Sequence, residues 1–217
     1  MENQENRYQI RSERPEDHRT TENLTREAFW NVYRPGCTEH YLVHIMRTHA
    51  DFVPELAFVL ELDGELIGNV MYTKASLLDG AGGEKPILTF GPVSIAPAFQ
   101  RRGYGKRLLE ASFERAAALG YEAIVIFGDP NNYVGCGFVS CKRHNVCSEP
   151  GVFPASMLVK ELRPGALDGR LWAYRASSVM ELDEAAAQRF DDALPPMEKR
   201  VLPSQETFYI LSHALLT

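Results

Sequence analysis

The sequence predicts an α/β fold, and three observations carry that prediction. An apolar stretch at Ile87 to Ala96, a glycine turn at Gly103 to Gly105, an amphipathic helix and a buried run at Ala123 to Phe127 follow one another directly, the order of a strand–helix–strand crossover. Upstream, the runs Leu56 to Leu62 and Leu66 to Tyr72 are joined by Asp63 and Gly64, the pair that supplies the positive φ angles of a tight hairpin. The chain has 217 residues, 45% of them hydrophobic and 24% charged, which is long enough and apolar enough to bury a core.

Taken in order, the elements begin with a short strand, Tyr8 to Arg11. A helix follows that opens on Pro15, runs through Leu24, Ala28, Phe29 and Trp30, and ends at Pro35 and Gly36. A second helix is expected from Glu39 to His49, because Tyr41, Leu42, Ile45 and Met46 recur at helical spacing behind Thr38. After the hairpin and a Gly-rich loop from Asp79 to Glu84, the strand Ile87 to Ala96 contains Gly91 and Pro92. That interruption predicts a bulge or a break in pairing. The following helix repeats Leu108/Leu109, Ser112/Phe113 and Ala116/Ala117 every four residues and stops at Gly120. The strand Ala123 to Phe127 then lies parallel to its predecessor across a right-handed crossover.

Gly128, Asp129 and Pro130 form a turn, Asn132 to Cys136 a short helical piece, and Phe138 to Ser140 and Ser156 to Leu162 two more strands. Arg163, Pro164 and Gly165 mark a boundary between residues 1–162 and an extension, residues 163–217, with a strand at Leu171 to Tyr174 and a helix from Asp183 to Phe190. Val201, Phe208, Ile210, Leu211 and Leu215 make the tail apolar enough to pack on the main body or on a second subunit of a homodimer.

Composition excludes several functions. With 23 Lys plus Arg against 29 Asp plus Glu, the net charge of -6 provides no general field for nucleic acid or an anionic membrane. Apolar runs fall far short of the roughly 20 residues of a spanning helix, and the polar start MENQENRYQIRSERPED has no signal-peptide core. A soluble cytoplasmic protein is expected. The four cysteines, Cys37, Cys136, Cys141 and Cys147, form no CxxC pair, and their gaps, with His144, match no familiar zinc spacing. No metal is implied.

The segment with chemistry is Gln100, Arg101, Arg102, Gly103, Tyr104, Gly105 and Lys106. A dinucleotide fingerprint would need glycine where Leu108 stands, and a phosphate-binding Walker loop would need Ser or Thr where Arg107 stands. What remains is a glycine turn at a helix N-terminus beside four cations, a cradle for a pyrophosphate.

These residues resemble the signature Q/R-x-x-G-x-G/A of the GNAT superfamily of N-acetyltransferases, with Gln100, Gly103 and Gly105 at its defined positions. The strand Phe90 to Pro97 before it, and Tyr133 with Gly137 and Phe138 after it, match as well, so the resemblance covers roughly residues 8–162 and is best with a bacterial, uncharacterised branch. Where that branch usually carries two tyrosines this chain has Asn132 and Tyr133.

The resemblance implies a mixed, mostly antiparallel sheet of six to seven strands flanked by helices. The strand holding Gly91 and Pro92 would splay from the one at Ala123, and acetyl-CoA would insert between them. Val93, Ser94 and Ile95 would meet the pantetheine and the thioester carbonyl, Arg101 to Lys106 would hold the pyrophosphate, and Asn132 would join the cofactor site. The implied activity is acetyl transfer from acetyl-CoA to a primary amine of a small molecule or peptide. Such transfer needs a neutral amine, whose free pKa is about 10.4, and a protonated leaving thiolate. Tyr133 matches the family's general acid. The strand Ile87 to Ala96 lacks the carboxylate some relatives use as base, leaving Glu39, then His40 with His44, or a water chain. The missing carboxylate also supports an alternative, a non-catalytic acyl-CoA-binding regulatory module. The loop Asp79 to Glu84, the segment Cys37 to His44 and the tail are expected to shape the acceptor site.

Overall fold

Asp63 and Gly64 take φ values of 51° and 86°, the left-handed pair a two-residue hairpin requires. In the computed structural model, which describes residues 8–217, β1 (Tyr8–Ser12) pairs antiparallel with β2 (Phe58–Leu62), and β2 pairs across this turn with β3 (Glu65–Leu78). Before them lie α1 (His18–Phe29), preceded by a separate single turn at Pro15–Asp17, and α2 (Glu39–Met46), one turn shorter than its apolar spacing suggested.

β3 extends beyond Tyr72 because Thr73, Ala75 and Leu77 stay buried while Lys74 is exposed, a period-two alternation. It pairs antiparallel with β4 (Glu84–Ile95) from Gly68↔Ile95 to Leu78↔Glu84. The register shifts between Val70 and Tyr72, opposite Gly91 and Pro92, the irregularity those two residues predicted.

α3 (Tyr104–Ala118) carries the chain to β5 (Ala123–Phe127), which is parallel to β4. Then come α4 (Pro130–Tyr133), β6 (Val139–Ser140), β7 (Val146–Cys147) and β8 (Met157–Glu161), with β8 antiparallel to β5. The sheet runs β1-β2-β3-β4-β5-β8-β6, and β9 (Trp172–Arg175) adds to β3 and β7. Among the described residues nine strands result rather than six to seven: the two-residue β7 has no readable pattern, and β9 comes from beyond residue 163. α5 (Glu184–Asp192) and α6 (Pro203–His213) complete the chain.

On one face of the sheet, Leu108, Leu109, Phe113 and Ala116 of α3 pack on Val70, Tyr72, Phe90 and Phe138. On the other, Val43 and Met46 of α2 cover Met71. Among the described residues no helix is long and apolar enough to cross a membrane.

Candidate functional site

β4 and β5 are neighbours at a single register position, Leu88↔Ile124. The Thr89 hydroxyl donates to Val125 O at 2.6 Å, and past it the strands part. Ala96 N donates to Ile67 O at 2.8 Å. Strand alternation therefore directs the Ser94 N–H to β3 and those of Val93 and Ile95 to the open edge. The opening is a cavity of about 350 Å³ lined by Val93 to Ile95, the turn after β4, Asn132 and Tyr133, and, from the α1 side, Phe29, Val32 and Tyr33.

The turn owes its shape to Arg101 and Gly103, at φ 61° and 86°. Gly103 precedes α3 with no side chain accepting from the first turn. The N–H groups of Tyr104, Gly105 and Lys106 thus lack intrahelical partners beside the cavity. Gly103 is needed for its left-handed backbone. Gly105 is not: a Cβ there would touch only Ile95 Cγ1 at an ordinary 3.6 Å. Its bareness leaves the cavity wall open.

The predicted cofactor residues divide by role. Gln100 Nε2 donates to Ile95 O at 3.0 Å, tying the turn to the end of β4. Ser94 Oγ donates to Thr25 Oγ1 at 3.1 Å, anchoring α1. Arg101, Arg102, Lys106 and Asn132 are exposed at or beside the rim. Arg102 lies over the Phe99 ring at 5.7 Å, and Tyr104 meets the same ring at 6.4 Å.

Tyr133 ends α4, which starts where Asp129 accepts from Asn131 N at 2.9 Å. Its ring presses on Gly128, where any Cβ would come within 2.5 Å of it, and packs on Phe90 at 5.8 Å and Phe138 at 6.0 Å. The hydroxyl makes no hydrogen bond among the described residues. Burial, and after it the neighbouring Tyr33, Cys136 and Asp129, push its pKa upward.

The acceptor side departs from expectation. Glu39 does not line the cavity; its Oε2 accepts from Thr38 N at 2.9 Å, and burial holds its carboxyl above the usual range. His40 is wholly buried, with Nδ1 3.4 Å from Cys37 Sγ and Nε2 3.2 Å from Asp191 Oδ1. His44 points elsewhere, 3.0 Å from Glu22. Among the described residues no carboxylate or imidazole lines this cavity. The loop at Asp79 to Glu84 joins the other ends of β3 and β4, about 30 Å along the strand from Val93, and so shapes nothing here.

Tyr33 is the residue the sequence reading missed. It lines the cavity, lies between Phe29 (5.7 Å) and Phe208 (4.4 Å), and has its pKa pushed up to about 12 by burial and by Glu39 and Asp129. The available signal was its position four residues after Phe29, continuing the apolar stripe of α1.

The Acetyltransferase (GNAT) family model matches residues 26–141, over half of the chain. The chain belongs to the GNAT family. Among curated relatives, the uncharacterized N-acetyltransferase YhbS of Escherichia coli K12 is 27% identical over 161 residues, 74% of this chain and 90% of YhbS. Uncharacterized YjhQ, also from Escherichia coli, is 24% identical over 89 residues, so the match spans about half of it, 48%, and 41% of this chain. The crystal structure of Escherichia coli YhbS in complex with CoA superposes with a TM-score of 0.72 at 23% identity, covering 84% of this chain and 96% of YhbS. A GNAT acetyltransferase from Brucella melitensis in complex with acetyl-CoA gives 0.63 at 22% identity, covering 81% and 99%. At these identities the structures establish the GNAT fold for this chain.

Proposed function

We propose that this chain moves an acetyl group from acetyl-CoA to a primary amine by direct attack in a ternary complex. The observation that carries the reading is the pairing of an open β4 edge, offering the N–H groups of Val93 and Ile95, with an uncapped α3 N-terminus at one end of one cavity. The first suits the amides and thioester carbonyl of an acyl-pantetheine, the second its pyrophosphate. The CoA and acetyl-CoA held by the two bacterial GNAT proteins support the same donor here.

In the reaction the neutral amine nitrogen bonds to the thioester carbon, the carbonyl oxygen gains charge beside a β4 N–H, and the C–S bond breaks. Tyr133, kept neutral by its raised pKa, gives the sulfur a hydrogen bond and a proton. The amine's surplus proton returns through water, restoring the phenol, since among the described residues no carboxylate or imidazole lines the cavity. Glu39 therefore contributes as a charge behind Tyr33 and not as the contacting base. That same lack of a lining base favours a second reading, an acyl-CoA-binding module without turnover.

Calorimetric titration with acetyl-CoA, NADH as a control and thiol release across an amine panel tests both. Wild type should bind acetyl-CoA at micromolar concentration and not NADH, and Gly105→Trp should weaken binding at least about 100-fold while the circular dichroism stays native, since that position has no left-handed φ. Undiminished binding by Gly105→Trp would remove the cradle from the proposal. Binding without acetylation of any amine would select the second reading.

A further inference from the structure

We infer that the C-terminal helix α6 backs the acceptor side of the cavity from outside its lining, and that Phe208, acting through Tyr33, makes this site selective for a primary amine carried on an aromatic body. The inference rests on the acetyl-transfer reading and adds to it the class of acceptor.

The path of the tail comes first. Arg26 donates to Pro195 O at 2.8 Å, and Trp30 Nε1 and Asn31 Nδ2 both donate to Glu198 O at 2.9 Å. Asn31 Oδ1 accepts from Gly36 N at 2.9 Å and Arg200 N at 3.0 Å, and Gln205 Nε2 donates to Asn31 O at 3.0 Å. The start of α6 is thereby fixed to Trp30 and Asn31, just past the end of α1 and shortly before Tyr33.

The other end of α6 is fixed across the cavity. Ala155 N donates to Ala214 O and Leu216 N to Phe153 O, both at 2.8 Å. Residue 155 leads into β8, and the next residue, Ser156, accepts from Gly128 N at 2.9 Å. Gly128 is the glycine under the Tyr133 ring. The eleven residues of α6, about 16 Å of helix, thus bridge the α1 wall and the wall that carries Tyr133. None of them is buried, so the helix is held by its two ends and is no part of the core.

Between those ends, Phe208 rests on Tyr33 with ring planes 32° apart and remains 38% exposed. It completes a stack, Phe29, Tyr33, Phe208, of which Phe29 and Tyr33 line the cavity with Val32. What an acceptor meets is an aromatic corner, Phe29 and Tyr33 with ring planes 54° apart, and no carboxylate among the described residues lines it. Aromatic faces attract an ammonium by its charge and an aromatic body by ring contact. A polyamine would leave its second ammonium without a contacting carboxylate.

The test uses 2-phenylethylamine, hexylamine and spermidine with the full chain. Wild type should show kcat/KM for phenylethylamine about tenfold or more above the other two. Phe208→Ala should raise its KM about tenfold with kcat and the acetyl-CoA Kd unchanged, and Phe208→Tyr should restore it. Calorimetry of phenylethylamine with the CoA-saturated protein reads the same subsite without turnover, so loss of catalysis and loss of selectivity are told apart. Equal use of spermidine, a Phe208→Ala protein of unchanged KM, or absence of phenylethylamine binding to the CoA complex each overturns the inference. Retained amine binding without acetylation would instead overturn the reaction.

Discussion

On the donor side of the cavity, the groups offered to a ligand are main-chain N–H groups, those of Val93, Ile95 and the first turn of α3, whereas on the acceptor side they are the side chains of Phe29, Val32 and Tyr33. The main-chain groups of the donor side lie within one short stretch of chain, β4, its turn and α3. The acceptor side is held by hydrogen bonds that join residues far apart, Asn31 to Arg200 and Phe153 to Leu216 among them. A ligand common to many proteins can be bound by backbone geometry that few sequences alter, while the specific partner is read by side chains that a distant segment positions.

The sharpest test of this contrast is Tyr133, the side chain proposed as the acid in a donor half otherwise made of backbone. Tyr133→Phe should leave the acetyl-CoA Kd unchanged and lower kcat about 100-fold. Because burial raises the phenol's pKa, the proton stays on it throughout the ordinary range. The wild-type kcat should therefore rise with pH as the amine loses its proton and show no fall below about pH 10. A turnover number unchanged in Tyr133→Phe would leave the donor half with backbone groups alone.

The next test loosens the acceptor half. Arg26 and Asp191, both nearly buried, meet at 2.8 Å between Nε and Oδ1 and tie α5 to α1. Removing one partner of a buried pair leaves a charge without compensation. Asp191→Ala should cost about 3 kcal/mol, lowering Tm by roughly 6 to 12 °C. In the surviving folded protein it should raise the acceptor KM more than the acetyl-CoA Kd. Equal effects on both would mean that the two halves are not separately built.

The same contrast explains what the sequence discloses. The hairpin at Asp63 and Gly64, the strand Ala123 to Phe127 and the turn from Gln100 to Lys106 are readable because local rules fix them: left-handed turn residues, an unbroken apolar run, glycines opening an amphipathic helix. β7 is two residues paired to β9, and α6 buries no residue, so neither has a periodic signal. Tyr33 gains its place from Phe208, a contact across most of the chain. Glu39 was legible only in part, for a related reason. Its place at the start of α2 was legible, but its absence from the cavity lining depends on how α2 sits on the sheet.

Glu39 supplies the smallest effect and the most specific one. Its carboxyl is raised chiefly by burial, so between its ordinary pKa of 4.5 and the raised value the folded state keeps a proton that the unfolded state releases. The stability tied to that group is complete below the ordinary value and is lost as pH climbs through the folded one. Glu39→Gln removes the buried charge and keeps an oxygen for the Thr38 N–H. Its Tm should exceed that of wild type at pH 7.5 and converge with it near pH 4. The attraction of a helix N-terminus for a carboxylate works in the opposite direction, and a lower Tm at pH 7.5 would show that this attraction wins over burial. Turnover separates the two possible roles of the residue. A base in contact with the amine would lose most of its rate on conversion to an amide, whereas a charge behind Tyr33 should change kcat less than threefold or so. A collapse in kcat would place a titrating side chain in an acceptor half that otherwise has none in contact with the cavity.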